Sequence, residues 1–157
     1  MKYLVWFTLF LCTVVASSSS LVFPLGSASE WYEGLNHPWF RPPNWLFGPV
    51  WTTLYLLIAT SASKLLLTLK IEVHKYLPLA IALWALQMVL NTIWTPVFSG
   101  AENLEAAFYY IAPLWLTIIA YIAVTWNISR LASILFVPYA AWVSFASLLN
   151  YTYWQLN

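Results

Sequence analysis

Residues 31–45 read Trp31-Tyr32-Glu33-Gly34-Leu35-Asn36-His37-Pro38-Trp39-Phe40-Arg41-Pro42-Pro43-Asn44-Trp45 and stand directly before a long apolar run. The stretch holds three tryptophans and three prolines. A proline fixes its own φ, lacks an N–H donor and restricts the residue before it. The stretch is therefore predicted to be neither a helix nor a central strand, and to form a stiff aromatic lid over about 26–46.

The composition around this lid is that of a membrane protein. Of 157 residues, 62% are hydrophobic and only 7% are charged, whereas a soluble domain carries about 25% charged residues. The chain also has 11 tryptophans and 10 tyrosines. Aromatic belts at the two membrane interfaces explain part of this number, so the remaining rings are expected inside the protein.

Apolar runs of membrane-spanning length, about 20 residues, predict five helices. The predicted spans are 3–23, 47–69, 76–98, 105–126 and 131–153. We therefore expect an all-α integral membrane protein, a five-helix transmembrane bundle that forms one domain over 1–157. Short connections favour antiparallel neighbours. Four prolines within the spans are predicted to kink or end helical turns: Pro78, Pro96, Pro113 and Pro138.

Charged residues predict how the bundle is oriented, because Lys and Arg concentrate on the cytoplasmic side. Alternating loops place five cations on one side: Lys2, Lys64, Lys70, Lys75 and Arg130. The other side has Arg41 and four acids: Glu30, Glu33, Glu102 and Glu105. The N-terminus is therefore predicted to be cytoplasmic, with the lid and the C-terminus on the opposite side.

The first span also resembles a secretory signal, since Lys2 precedes an apolar run that ends at Ala16 and four serines. Apolar character resumes at 21–23, which favours retention as a transmembrane helix. Cys12 is the only cysteine, so no intrachain disulfide is possible.

Neutral polar groups and aromatic rings form stripes on three predicted helices. Helical spacing aligns Gln87, Asn91, Trp94 and Phe98 on the third span, and Trp51, Tyr55 and Ile58 on the second. The stripe on the fifth span consists of Tyr139, Trp142, Ala146, Leu149, Asn150 and Tyr153. Together they would form a pocket for a large, flat, mostly apolar ligand. The alternative is that the amides only join helices and the rings fill the core.

These residues, in this order, resemble the TspO/MBR family of tryptophan-rich sensory proteins and translocator proteins, once called the peripheral benzodiazepine receptor. The resemblance rests on motifs spread over nearly the whole chain: Trp31-Tyr32, Leu35, Pro38-Trp39, Pro42-Pro43, Phe47-Gly48-Pro49, Trp51, Leu54-Tyr55, Gln87, Leu90-Asn91, Trp94-Thr95, Phe98, Pro138-Tyr139, Trp142, Ala146 and Leu149-Asn150.

The resemblance implies a five-helix bundle, usually a homodimer in lipid, that binds protoporphyrin IX, haem, sterols in some members, and isoquinoline carboxamide or benzodiazepine drugs. It implies no required cofactor, no metal site and no nucleic-acid partner. By matching motif, the ligand-binding residues would be Trp31, Tyr32, Trp39, Pro42, Pro43, Trp51, Tyr55, Gln87, Asn91, Trp94, Tyr139, Trp142, Ala146 and Asn150. Ala146 would leave room in the cavity.

One departure from animal members lies at the C-terminus. Their cholesterol motif ends in Lys or Arg, whereas the tyrosines at 151 and 153 are followed here by Trp154-Gln155-Leu156-Asn157. This departure argues against tight sterol binding there and favours a bacterial-type member in the bacterial cell membrane.

Three function classes remain open. The first is a receptor or sensor that sequesters or moves tetrapyrroles and links them to stress responses. The second is a light-dependent porphyrin-degrading enzyme, in which the resemblance points to Trp51 and Trp142 as the candidate catalytic residues; an ordinary catalytic motif is missing from the sequence. The third is a passive porphyrin or sterol transporter. Haem is expected to bind without axial coordination, since the only residues that could ligate iron are predicted to serve other roles: His37, His74, Met88 and Cys12.

Overall fold

The computed structural model describes residue 7 and residues 30–68 and 74–157. Within these ranges every regular element is a helix. A short helix, α1 (Glu30–Glu33), is followed by α2 (Asn44–Thr68), α3 (Leu77–Thr95), a π-helical turn (Pro96–Gly100), α4 (Leu104–Trp126) and α5 (Arg130–Leu156). The prediction of an all-α membrane protein is confirmed, because α2 to α5 are each long and apolar enough to cross a membrane.

The four long helices correspond to the second to fifth predicted spans. The first predicted span, 3–23, lies outside the described residues apart from Phe7, and so do residues 26–29 of the predicted lid. Helix α2 begins at Asn44, three residues before the predicted start at 47. The helix can begin directly after Pro42-Pro43, because proline is accepted just ahead of a helix or in its first turn.

The prediction that the aromatic stretch contains no helix is wrong at its beginning. Trp31 and Tyr32 lie in α1, and the Gly34 N–H closes this turn by donating to the Glu30 carbonyl at 3.1 Å. The first proline of the stretch is Pro38, so no proline restricts the backbone of α1. From Pro38 to Pro43 the segment is turn and loop, as predicted.

The prolines within the long helices act differently from one another. Pro78 lies in the first turn of α3, where a missing N–H costs nothing. Pro96 marks the change from α-helix to π-helix, and the Ala101 N–H donates to its carbonyl at 2.9 Å. Pro113 and Pro138 lie inside α4 and α5 without ending them.

Among the described helices, α2 and α3 have the least backbone contact of the pairs that pack together. Helix α5 packs along both α4 and α2, and α4 also packs along α3. The backbones of α2 and α3 approach each other over only a short length, although the two helices are consecutive in the chain. Side chains also join these two helices, for example Trp84 of α3, whose indole N–H donates to the Ile58 carbonyl of α2 at 3.3 Å.

Candidate functional site

Two aromatic rings of α2 stand on the face turned towards α3 and α5. Trp51 and Tyr55 are one helical turn apart, and their ring centroids are 5.5 Å apart. The Trp51 ring also contacts Tyr139 of α5, in an edge-to-face arrangement with centroids 6.3 Å apart. Both α2 rings are half-buried and pack against the main core.

A hydrogen-bonded chain joins three helices beside these rings. The Tyr55 hydroxyl donates to Asn91 Oδ1 at 2.6 Å, and Asn91 Nδ2 donates to the Tyr139 hydroxyl at 2.9 Å. Asn91 is 6% exposed and Tyr139 is fully buried. For Asn91, therefore, the interhelical alternative raised by the sequence holds: its amide links α2, α3 and α5.

Gln87 lies one turn before Asn91 on α3, and its environment is the opposite. Its side chain is fully buried, yet neither Nε2 nor Oε1 has a hydrogen-bond partner among the described residues. Burying an amide without a hydrogen bond costs about 1–3 kcal/mol. The interhelical alternative does not explain this residue.

Two other predicted site residues also have buried polar atoms without a partner in the described part of the chain: Trp94 at its indole Nε1 and Asn150 at Oδ1. The Asn150 amide is half satisfied, since Nδ2 donates to the Leu104 carbonyl at 3.0 Å. Together with Gln87 these residues offer two donors, Gln87 Nε2 and Trp94 Nε1, and two acceptors, Gln87 Oε1 and Asn150 Oδ1. All four atoms lie on the predicted stripes.

Trp142 belongs to a second group of rings on α5. Its ring contacts Phe47 of α2 at 5.9 Å and Phe145 at 5.7 Å between centroids. Ala146 follows one turn later and is half-buried against the main core. Trp51 and Trp142 therefore stand on facing helices, each against its own aromatic neighbours.

Part of the predicted lid packs against the π-helical turn that follows α3. Trp31 and Tyr32 of α1 contact Phe98 with centroids 5.8 and 6.3 Å away. Phe98 in turn stacks on Trp94 at 5.1 Å with an angle of 21° between the ring planes. The rings thus run continuously from the lid to the unpartnered indole N–H of Trp94.

Hydrogen bonds fasten this lid to the end of α5. The Tyr153 hydroxyl donates to the Tyr32 hydroxyl at 3.0 Å, and His37 Nδ1 lies 3.0 Å from the same Tyr153 hydroxyl. Further along, the Asn36 N–H donates to Asn157 Oδ1 at 2.7 Å, and Asn157 Nδ2 donates back to the Asn36 carbonyl at 3.2 Å.

Three other residues predicted in the lid are not brought into this cluster. Trp39 is 95% exposed, and the ring contact it makes among the described residues is with Phe40. Pro42 is half-buried and Pro43 is exposed, and both precede α2. Their roles in ligand binding stay predictions.

Three ionisable groups act on one another at the lid: Arg41, Glu33 and His37. Arg41 Nη2 lies 3.8 Å from Glu33 Oε1, and its guanidinium stands over the Tyr32 ring at 4.9 Å. Burial and, secondly, the nearby Arg41 charge lower the pKa of His37, while Glu33 acts in the opposite direction. The imidazole is therefore neutral at pH 7.

The described part of the chain contains no group of three His, Cys, Asp or Glu side chains that could hold a metal ion. Met88 is buried in the core, His74 lies 3.3 Å from the Tyr76 N–H, and Cys12 lies outside the described residues. What the site offers a ligand is stacking surface and neutral hydrogen-bonding groups.

Sequence reasoning did not assign site roles to several residues that the structure brings together here: Asn36, His37, Phe47, Phe98, Phe145 and Tyr153. Phe98 and Tyr153 were on the predicted stripes, so helical spacing contained that signal. The partners of Asn36 and His37 lie 116 or more residues away in the chain, and no local pattern predicts such a pairing.

Comparison with known proteins identifies one family over nearly the whole chain. A sequence model of the TspO/MBR family matches residues 7–155. The chain is 40% identical over 149 residues to the tryptophan-rich protein TspO of Chlorobaculum tepidum, covering 94% of this chain and 91% of that one.

Two further relatives come from different kinds of organism. Protein CrtK of Rhodobacter capsulatus is 36% identical over 148 residues, which is 94% of this chain and 89% of that protein. The human translocator protein is 33% identical over 132 residues, or 84% of this chain and 78% of that protein.

Proposed function

Because the chain belongs to the TspO/MBR family, we propose that it is a membrane receptor or sensor that binds tetrapyrroles such as protoporphyrin IX and haem. The ligand occupies the space bordered by α2, α3 and α5. Binding there sequesters or moves porphyrin and couples its level to a stress response.

The observation that carries this proposal is the fully buried Gln87 amide with no partner among the described residues. A native protein rarely leaves a buried amide unsatisfied without a functional reason. A tetrapyrrole, with or without iron, presents a flat aromatic face that can accept an N–H···π hydrogen bond from an amide. Such a ligand would give the Gln87 N–H a partner and would stack on the rings of Trp51 and Trp142.

Haem and free-base porphyrin are expected to bind with similar affinity. The described cluster contains indoles, phenols and amides, and its one imidazole, His37, is engaged with Tyr153 at the lid. Stacking and hydrogen bonding therefore provide the binding free energy, and axial iron coordination does not. A strong preference for haem that is lost in His37→Gln would contradict this expectation.

The test is a titration of detergent-solubilised protein with protoporphyrin IX in the dark, followed by quenching of tryptophan fluorescence. We expect saturable quenching and a severalfold weaker affinity in Trp51→Phe and in Trp142→Phe. Trp126→Phe is the matched control, because Trp126 stands at the end of α4 beside Arg130. Absence of saturable quenching in the wild type would reject the proposal.

A light-dependent enzyme is the second candidate, and the surroundings of Trp51 favour it. An excited porphyrin stacked on this indole could take an electron from it, and Tyr55 and Tyr139 stand 5.5 and 6.3 Å away as further oxidisable rings. Illuminating the same complexes decides between the two. A new absorbing product that requires Trp51 and Trp142 indicates an enzyme, and a stable spectrum indicates a binding protein.

A further inference from the structure

Arg41 stands at the edge of the aromatic cluster, between the lid and the start of α2. Its backbone N–H donates to the Pro38 carbonyl at 3.0 Å, which fixes the turn that carries it. Its side chain is only 17% exposed. The guanidinium lies 4.9 Å above the centre of the Tyr32 ring and donates from Nη2 to Asn44 Oδ1.

The guanidinium keeps hydrogen-bonding capacity in this position. It has five N–H donors in one plane, and the described residues accept one hydrogen bond from it, at Asn44. Glu33 is 3.8 Å away and its side chain is 48% exposed, so this pair is longer than a hydrogen bond and is weakened by solvent. A planar carboxylate is the acceptor that matches the remaining donors.

The lid end of the bundle has little other positive charge. Among residues 30–68 and 74–157 the other Lys and Arg side chains are Lys64, Lys75 and Arg130. These three lie near the end of α2, the start of α3 and the start of α5, at the opposite end of the bundle. His37 is the remaining basic group beside the lid, and it is neutral at pH 7.

The described side chains that follow Arg41 into the interior are uncharged. The polar groups described along α3 towards Gln87 are amides, an indole and phenols. An ionised carboxylate moved among them would lose hydration without meeting an opposite charge, which is costly. A ligand with both a flat apolar body and carboxylates therefore has one favourable orientation, with its carboxylates at the lid.

We propose that Arg41 binds a carboxylate of the ligand and so fixes its orientation, with the acidic edge at the lid and the aromatic face of the ring against Gln87. This inference rests on the proposed function and specifies its ligand class as flat aromatic carboxylates. Aromatic rings connect Arg41 with the part of α3 that carries Gln87. Tyr32 contacts both the Arg41 guanidinium and Phe98, and Phe98 stacks on Trp94 of α3. Glu33 competes with the ligand for the same cation.

The experiment compares protoporphyrin IX, which has two carboxylates, with its uncharged dimethyl ester. Both are titrated in the dark against the full-length protein in a neutral detergent. Replacement of Arg41 by glutamine is expected to weaken binding of the diacid about tenfold, the equivalent of one charged hydrogen bond. Binding of the dimethyl ester is expected to change less than twofold.

Three further variants sharpen the comparison. Arg41→Lys keeps the charge without the planar fork and should restore part of the diacid affinity. Glu33→Gln removes the competing carboxylate and should strengthen diacid binding only. Arg130→Gln, at the opposite end of the bundle, is the matched control and should leave both affinities unchanged.

The outcomes separate the inference from the proposed function. If Arg41→Gln weakens both ligands equally, Arg41 only holds the lid in place and the inference is wrong. If neither ligand binds the wild type, the proposed function fails and the inference fails with it. Should Arg41→Gln not fold, Glu33→Gln and the salt dependence of the wild type decide: diacid binding alone should weaken as salt rises, and equal behaviour of the two ligands would overturn the inference.

Discussion

The Tyr55 hydroxyl of α2 donates a hydrogen bond to Asn91 Oδ1 of α3 at 2.6 Å. Gln87, one turn earlier on the same face of α3, is equally buried and has no such partner in the described part of the chain. The two amides therefore differ in role. Asn91 joins the helices, and in our proposal Gln87 binds the ligand.

Replacement of Gln87 by methionine should stabilise the ligand-free protein while weakening its binding of protoporphyrin IX. Methionine has a similar volume and removes both unsatisfied atoms, so the free energy of unfolding should rise by about 1 kcal/mol. Thermal unfolding in detergent and a dark titration measure the two effects. A clearly lower melting temperature would mean that the amide has a structural partner.

Replacement of Asn91 by leucine should have the opposite effect on stability. It removes the two hydrogen bonds that Asn91 makes with Tyr55 and Tyr139, and the free energy of unfolding should fall by about 2 kcal/mol. Gln87→Met, on the same helix face, is the comparison that should change stability in the opposite direction. A wild-type melting temperature in Asn91→Leu would show that the hydrogen-bonded chain does not stabilise the bundle.

Enlarging Ala146 should reduce both stability and ligand affinity. Ala146 is half-buried one turn after Trp142, and Ala146→Phe would overpack this region at a cost of about 1–3 kcal/mol. Ala141→Phe on the exposed face of α5 is the control. Equal melting temperatures and porphyrin affinities in the two variants would show that the space beside Trp142 tolerates a large ring.

Acidification should loosen the lid through His37. Its pKa is lowered from 6.5 in the folded protein, so the unfolded chain takes up the proton at a higher pH than the folded protein does. The contribution of neutral His37 to the free energy of unfolding is therefore complete above pH 6.5. It is lost as the pH falls from there through the folded-state pKa.

Hydrogen exchange of residues 31–41 between pH 5 and 8 measures this loosening, after correction for the intrinsic pH dependence of exchange. His37→Gln, which cannot titrate, serves as the control. Protection that falls equally with pH in both proteins would show that another group is responsible.

The four long helices could be predicted because a membrane requires apolar segments of a fixed length, and that length is visible in the sequence. Boundaries shifted where local chemistry intervened: Asn44 starts α2 early behind two prolines, and α1 forms ahead of Pro38. The π-helical turn begins at Pro96. Proline predicts a disturbance of the helix there, but not its form.

The stripe of Gln87, Asn91 and Trp94 followed from helical spacing alone. Which of the two amides is satisfied could not be predicted, because the answer depends on where Tyr55 and Tyr139 reach from other helices. The pairing of Tyr32 and His37 with Tyr153 could not be predicted either, since the partners lie 116 or more residues apart in the chain.

The most direct test of the proposed site is an NMR titration of protein labelled with ¹⁵N only at tryptophan. A porphyrin ring shifts the indole N–H signals of the side chains it stacks against, and single substitutions assign those signals. Protoporphyrin IX in the dark should move the Trp51, Trp94 and Trp142 signals strongly and leave Trp126 in place. Shifts confined to Trp126 and other exposed indoles, with the signals of the three site tryptophans unchanged, would contradict a porphyrin site between α2, α3 and α5.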